Sequence, residues 1–305
     1  MRETTAVTRA GASAAKAPLR AIALICFAAF SFVVMNTMVR YLGRTGTPVP
    51  EIIWARYISH LLLIMAFFPR RITTLLVSKR KVMQVFRSVL VLLATVCMFF
   101  AVREMPVADA VALSFSAPLF AVGLSVLILR ERVGPRRWGA VAVGFIGMLI
   151  IIRPGEGTLQ WAALLPIVMA FLYATYQIVT RMIRGAADPL NALFYTALVG
   201  AAVSSLVVPF FWRTPDLIDA LMLVGTGFFG GIGHYAVILA YERAEVSVVA
   251  PFAYTELIWA TILGFMVFGD IPDLWTYVGA GIIVVSGLYV LYRERRFARP
   301  PAGRL

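Results

Sequence analysis

One stretch of this chain occurs twice, and an odd number of apolar spans separates equivalent points of the two copies. Residues 103–155 begin Arg-Glu-Met-Pro-Val-Ala-Asp, cross an apolar stretch to Arg130-Glu131-Arg132 and enter a second, Trp138–Ile152. Residues 242–293 begin Glu-Arg-Ala-Glu-Val-Ser-Val, run to Gly269-Asp270 and enter Tyr277–Tyr292. A shift of about 139 residues superposes Ala108 on Ser247, Phe115 on Tyr254 and Glu131 on Asp270. One residue more puts Gly139 on Gly279, Gly147 on Gly287 and Arg153 on Arg293. Upstream, Phe32-(x)6-Val39-Arg40 resembles Tyr173-(x)6-Thr180-Arg181. Each half holds five apolar spans, so the odd count forces the copies into opposite orientations across a bilayer.

The lengths fit that arrangement. The chain is 61% hydrophobic and 14% charged, with a mean hydropathy of +0.87. A helix needs about 20 mostly apolar residues to cross roughly 30 Å of hydrocarbon. Ten such segments are expected: about 21–42, 49–68, 83–102, 107–129, 135–152, 159–180, 189–211, 218–240, 246–268 and 273–292. The predicted fold is an all-α membrane protein of ten helices in two inverted five-helix repeats. The repeats are expected over residues 21–155 and 156–293, with a disordered tail over 1–20 and a second tail over 294–305. The basic N-terminus has the look of a signal peptide, but losing the first span would destroy the five-plus-five symmetry, so that span is read as retained.

The net charge of +13 serves topology. Most Lys and Arg fall in the two tails and in connections on one side: Arg2 to Arg20, the 69–82 loop, Arg130–Arg137, Arg181, Arg184, Arg243 and Arg293 to Arg304. Arg40, Arg44, Arg103, Arg153 and Arg213 fall on the other. Under the positive-inside rule both termini are expected to be cytoplasmic. Nucleic-acid binding would need a basic face on a folded module, and none is expected.

Several chemistries lack a foothold. Gly225-x-Gly227-x-x-Gly230 matches a dinucleotide fingerprint formally, yet it lies inside an apolar helix, where small residues let helices approach closely. His60 and His234 have no Cys or acid at ligand spacing, so no metal is expected. Cys26 and Cys97 sit inside spans and read as free thiols. No nucleophile elbow or phosphate loop occurs, so neither catalysis nor a cofactor is expected, and uphill movement of a solute would need a proton, ion or counter-substrate gradient.

The informative residues are those that are costly to keep in lipid, about 2.5–3.5 kcal/mol for a central charge on insertion scales. Glu256 is the one deep acid, and Arg56 the deep base, with His60 one turn further along the same helix face. Two readings are open for Arg56 and Glu256: a buried ion pair holding helices in register, or cavity residues that contact a solute or a coupling proton. His60 either packs or lines that cavity. Trp54 and Tyr57 flank Arg56, Tyr173 and Tyr176 lie in the sixth span, and Tyr254 and Trp259 surround Glu256. These aromatics read either as lipid-facing packing or as walls for a flat or cationic organic molecule. Asn36 and its repeat partner Gln177 offer interhelical glue or a solute contact. Pro118 and Pro251 either kink their helices or free backbone carbonyls.

These residues carry a family resemblance. Glu51-(x)4-Arg56, Val107-Ala-Asp-Ala-Val-Ala-Leu-Ser-Phe-Ser-Ala-Pro-Leu-Phe and Arg130-Glu131-Arg132-(x)5-Trp138-Gly139 resemble the drug/metabolite transporter superfamily, and within it the EamA-type permeases. Gly144-Phe-Ile-Gly147, Gly231-Ile-Gly-His-Tyr235, Ala250-Pro-Phe-Ala-Tyr254 and Phe268-Gly-Asp-Ile-Pro-Asp273 continue the likeness, which spans about residues 20–293. The Tyr254-Thr255-Glu256-Leu257 setting looks most like S-adenosylmethionine uptake carriers, and the Gly-His-Tyr segment is also similar to riboflavin-type importers. The resemblance implies alternating-access uptake of a small organic metabolite, with a site at the repeat interface. Two alternatives stay open: an exporter of amino acids or other metabolites, and a non-transporting scaffold or receptor. The partners expected are the solute and the bilayer, in a monomer or homodimer.

Overall fold

In the computed structural model, ten helices among the described residues are long and apolar enough to cross a membrane. The structure describes residues 3–78, 80–131, 133–153, 161–183, 189–244 and 246–298. Span one covers Leu19–Arg44, span two Val49–Phe67, span three Lys81–Glu104, span four Val107–Leu129 and span five Pro135–Ile152. The second half supplies span six, Trp161–Met182, span seven, Leu190–Phe210, span eight, Leu217–Arg243, span nine, Ala250–Phe268, and span ten, Leu274–Tyr292. Ten crossings bring the chain back to the face it started from, here called the terminal face; the opposite one is the distal face. The first helix runs unbroken from Glu3 to Arg44, so the stretch expected as a tail enters it without interruption. The last helix runs from Leu274 to Ala298, five residues into the expected C-terminal tail; residues 299–305 lie outside the described ones.

Local chemistry sets the span ends. Prolines open spans two, four and five, where a missing N–H costs nothing. Asp216 caps span eight by accepting the amide of Asp219 at 2.8 Å. Spans four and nine stop at equivalent residues, Arg130 with φ 55° and Gly269 with φ 71°. A left-handed residue ends a helix by turning its carbonyls out of register, so one stop is built twice, once with glycine and once with arginine.

The repeat also places one break in each copy. Span four is two helices, Val107–Ser114 and Ala117–Leu129, and span nine enters through a 3-10 segment, Ala250–Tyr254, before Thr255–Phe268. Pro118 and Pro251 sit at these breaks, each within the first turn of the segment that follows. Phe115 and Tyr254, which the repeat superposes, meet edge to face with ring centroids 4.7 Å apart. The two breaks therefore touch near the pseudo-symmetry axis.

Small residues set the closest crossings. A Cβ on Gly147 of span five would lie 2.8 Å from the carbonyl of Gly279 in span ten, and one on Gly279 would lie 2.6 Å from the carbonyl of Gly147. Gly287 packs under the Tyr254 hydroxyl. These glycines bring helices of the same chain together. Gly227 likewise brings span eight onto span two, where a Cβ would lie 2.6 Å from the Arg56 carbonyl. That is the close-packing role expected for the Gly-rich segment. Cys26 and Cys97 are free thiols.

Candidate functional site

The residues singled out from sequence fall into two groups. The first is packed. Asn36, Arg56, Tyr57 and His60 are all buried at the contacts of spans one, two, three and eight. Arg56 donates from Nη1 to Thr95 Oγ1 at 2.5 Å, and its guanidinium lies over the rings of Tyr57 and Phe99, 5.0 and 5.4 Å from their centroids. The Tyr57 hydroxyl lies 3.0 Å from the same Thr95 oxygen. Among the described residues no acid lies within 4 Å of Arg56. The buried pair between Arg56 and Glu256, one of the two sequence readings, is therefore not formed. Arg56 Nε, His60 Nε2 and Asn36 Oδ1 are buried without a hydrogen-bond partner. Three such atoms on two adjoining spans form an undersatisfied polar seam.

His234 of span eight completes this seam. Its ring stacks parallel to that of His60, with centroids 6.2 Å apart, and meets Phe32 edge-on at 4.9 Å. Both histidines feel the charge of Arg56. Sequence spacing could not join His60 to His234, because nothing along the chain says that spans two and eight touch. The glycines at 227, 230 and 231 were the available signal, since they let span eight approach.

The second group keeps accessible surface. Tyr173 and Tyr241 are exposed, and Glu256 and Tyr254 are half-buried. Tyr173 lies within electrostatic reach of Tyr176, Tyr241 and Glu256, and beside Gln177. It stacks on Tyr176 at 5.4 Å, and Tyr176 in turn lies 5.2 Å under the guanidinium of Arg87. Trp259 meets Phe30 of span one edge-on at 5.1 Å. Glu256 follows directly on the break in span nine and has no ion pair or hydrogen bond from its side chain among the described residues. These residues gather in the half of the protein nearer the terminal face, on spans six, eight and nine.

Trp54 belongs to neither group. It stands at the distal end of span two, donates from Nε1 to Ser205 Oγ at 3.0 Å and meets Trp212 edge to face at 5.6 Å. Its place matches the interfacial-belt reading rather than the wall of a central cavity.

Comparison with known proteins agrees with this architecture. The EamA-like transporter family matches residues 19–153 and again residues 160–292, one match per repeat. The chain is 28% identical over 275 residues to the S-adenosylmethionine uptake transporter of Rickettsia prowazekii, covering 89% of this chain and 93% of that one. It is 33% identical over 195 residues to the riboflavin transporter of Vibrio cholerae, covering 64% and 65% of the two chains. A crystal structure with 19% sequence identity superposes with a TM-score of 0.60 over 94% of this chain, which shows a shared fold. With both halves matched and ten membrane-length helices in place, this multi-pass membrane protein belongs to the EamA-like transporter family.

Proposed function

We propose that the chain is a bacterial inner-membrane uptake carrier for a flat organic cation of the S-adenosylmethionine kind, working by alternating access. The observation that carries this reading is Glu256. A carboxylate that keeps accessible surface without a partner, beside Tyr173, Tyr176, Tyr254 and Trp259, suits a sulfonium group held against aromatic faces. The names of relatives supply the two candidates, and the acid favours the cation over the uncharged flavin.

In this reading the terminal face is cytoplasmic, because the tails and the loops on that face carry most of the basic residues. Glu256, Tyr173 and Tyr241 then line a cleft between spans six, eight and nine, the cytoplasm-facing form of the site. Glu256 receives the positive centre, the Tyr173–Tyr176 pair and Trp259 flank the flat group, and Gln177 offers an amide for its polar edge. Arg56, Tyr57, His60, His234 and Asn36 form the polar seam behind the cleft, and their unpartnered atoms become usable when the repeats rock. Chain-bound groups alone cannot drive uptake, so the energy comes from a proton, ion or counter-substrate gradient. Substrate shifts the two states only by its differential affinity for them.

The test is ligand-dependent melting of the purified protein. A ligand at 100 times its Kd adds about 2.7 kcal/mol of stability. S-adenosylmethionine is expected to stabilise the wild type and to lose that effect in Glu256→Gln, with the ligand-free midpoint unchanged. Stabilisation by riboflavin, undiminished in Glu256→Gln, would overturn the assignment. Uptake into vesicles of known orientation then fixes direction.

A further inference from the structure

The inverted repeat maps two cross-repeat ion pairs onto each other, and they are built to unequal strength. Arg40 ends span one at the distal face and bonds Asp270, just past span nine, with Nη2 to Oδ2 at 2.7 Å. Arg181 ends span six at the terminal face and bonds Glu131, just past span four, at 3.1 Å. The sequence register that places Arg40 on Arg181 and Glu131 on Asp270 makes these one contact, formed twice on opposite faces.

The surroundings differ. Arg40 is buried, and its Nη1 also donates to the carbonyls of Val102, at 3.2 Å, and Met105, at the end of span three. Its guanidinium and that of Arg44 lie 5.1 and 4.6 Å from the centroid of the Phe268 ring, and Arg44 approaches Asp270 at 3.7 Å. Arg40 thus ties the ends of spans three and nine together and seals the distal face. A helix C-terminus offers unpaired carbonyls and negative dipole charge, which suits a guanidinium.

On the terminal face the clasp is half made. The carbonyls equivalent to those of Val102 and Met105 belong to Tyr241 and Ala244, at the end of span eight. Among the described residues Arg181 bonds Glu131 and neither of these carbonyls. Leu129 stands where Phe268 stands, so the ring that backs the distal pair has an aliphatic counterpart here. Arg181 and Glu131 are 56% and 38% exposed, against 6% and 21% for Arg40 and Asp270. Tyr241, which carries one of the two span-eight carbonyls, also belongs to the group around Tyr173 and Glu256.

We infer that Arg40 and Arg181 are pseudo-symmetric gate clasps. Arg40 on the span-three carbonyls closes the distal face in the form seen here, and Arg181 moves onto the span-eight carbonyls at Tyr241 and Ala244 to close the terminal face in the other form. The inference rests on the alternating-access reading above. The stronger distal clasp makes the form open to the terminal face the resting one, and substrate release follows from it.

Spin-label distances in lipid nanodiscs test this. One pair, Glu104→Cys with Ile271→Cys, reports the gap between spans three and nine at the distal face. A second, Arg130→Cys with Glu242→Cys, reports the gap between spans four and eight at the terminal face. Both go into a Cys26→Ala, Cys97→Ala background. Asp270→Asn and Arg40→Lys are expected to widen the distal distance and shorten the terminal one, changing the ratio of the two populations by about tenfold for loss of a charge-assisted bond. Arg181→Gln is expected to leave the resting distances in place and to suppress the substrate-induced shift. Two outcomes overturn the inference: unchanged distances in folded Asp270→Asn and Arg40→Lys, or Arg40→Lys and Arg181→Gln acting in the same direction. Binding of S-adenosylmethionine, followed by melting on the same samples, separates this result from failure of the carrier reading. Variants that bind and do not switch sink the clasps alone.

Discussion

Thr95 sits where three hydrogen bonds meet. Its Oγ1 donates to the Val91 carbonyl at 2.9 Å, accepts from Arg56 Nη1 at 2.5 Å and lies 3.0 Å from the Tyr57 hydroxyl. A hydroxyl has one donor and two acceptor positions, so this one is fully used. Thr95→Val keeps the shape and removes all three bonds. Val91 keeps its helix bond, so its carbonyl loses little. The Arg56 bond is to a charged group, worth about 1.5–3 kcal/mol, and the Tyr57 bond is neutral, worth about 0.5–1.5 kcal/mol. Neither donor can reach water, since Arg56 is 4% and Tyr57 1% exposed. Allowing for non-additivity within one cluster, the variant is expected to lose about 2–4 kcal/mol, while the two rings around the guanidinium keep it in place. Unfolding in detergent, followed by tryptophan fluorescence, measures the loss. Thr95→Ser, which keeps the hydroxyl and gives up a methyl, should cost about 1 kcal/mol. A Thr95→Val protein that unfolds with the wild type, or a Thr95→Ser protein that falls as far as Thr95→Val, would refute the view of Thr95 as the polar anchor of Arg56.

Other positions give sharp outcomes. Gly227→Ala drives a methyl against the Arg56 carbonyl at 2.6 Å, backbone that cannot swing aside, and should cost about 1–3 kcal/mol on the same unfolding assay. Gly123→Ala meets nothing within 4 Å and should leave the midpoint unchanged or higher. Tyr173→Leu removes one aromatic face beside Glu256 and should raise the Kd for S-adenosylmethionine about 2- to 30-fold, the range of a cation–π contact. Trp54→Leu, out by Trp212 at the distal end, should leave that Kd unchanged when titration calorimetry compares the two.

Much of the fold was legible because lipid simplifies it. Backbone groups in hydrocarbon must bond within their own helix, so apolar runs of sufficient length specify spans, and the repeat specifies their orientation. The 225–230 glycines even marked where helices cross, though not which partner each would meet. The site was legible only in part. Depth in a span is a property of one helix, and it singled out Glu256 and Arg56. Which way a side chain turns depends on rotation about the helix axis and on the neighbouring spans. So Arg56, His60 and Asn36 went into packing, Trp54 into the distal rim, and the roles of His234 and Tyr241 emerged only once span eight was placed against spans one and two. The breaks in spans four and nine were signalled by Pro118 and Pro251; that they touch through Phe115 and Tyr254 follows from the pseudo-twofold.

The central claim is a cleft lined by spans six, eight and nine, beside Glu256, reached from the face that carries both chain ends. Labelling of Tyr241→Cys by a membrane-impermeant maleimide, in the Cys26→Ala, Cys97→Ala background and in vesicles of each orientation, tests it most directly. The account predicts rapid labelling from the cytoplasmic side, slowed by S-adenosylmethionine and not slowed in a Glu256→Gln partner variant. Labelling confined to the opposite side, or labelling from the cytoplasm that bound ligand leaves untouched in both backgrounds, would contradict it.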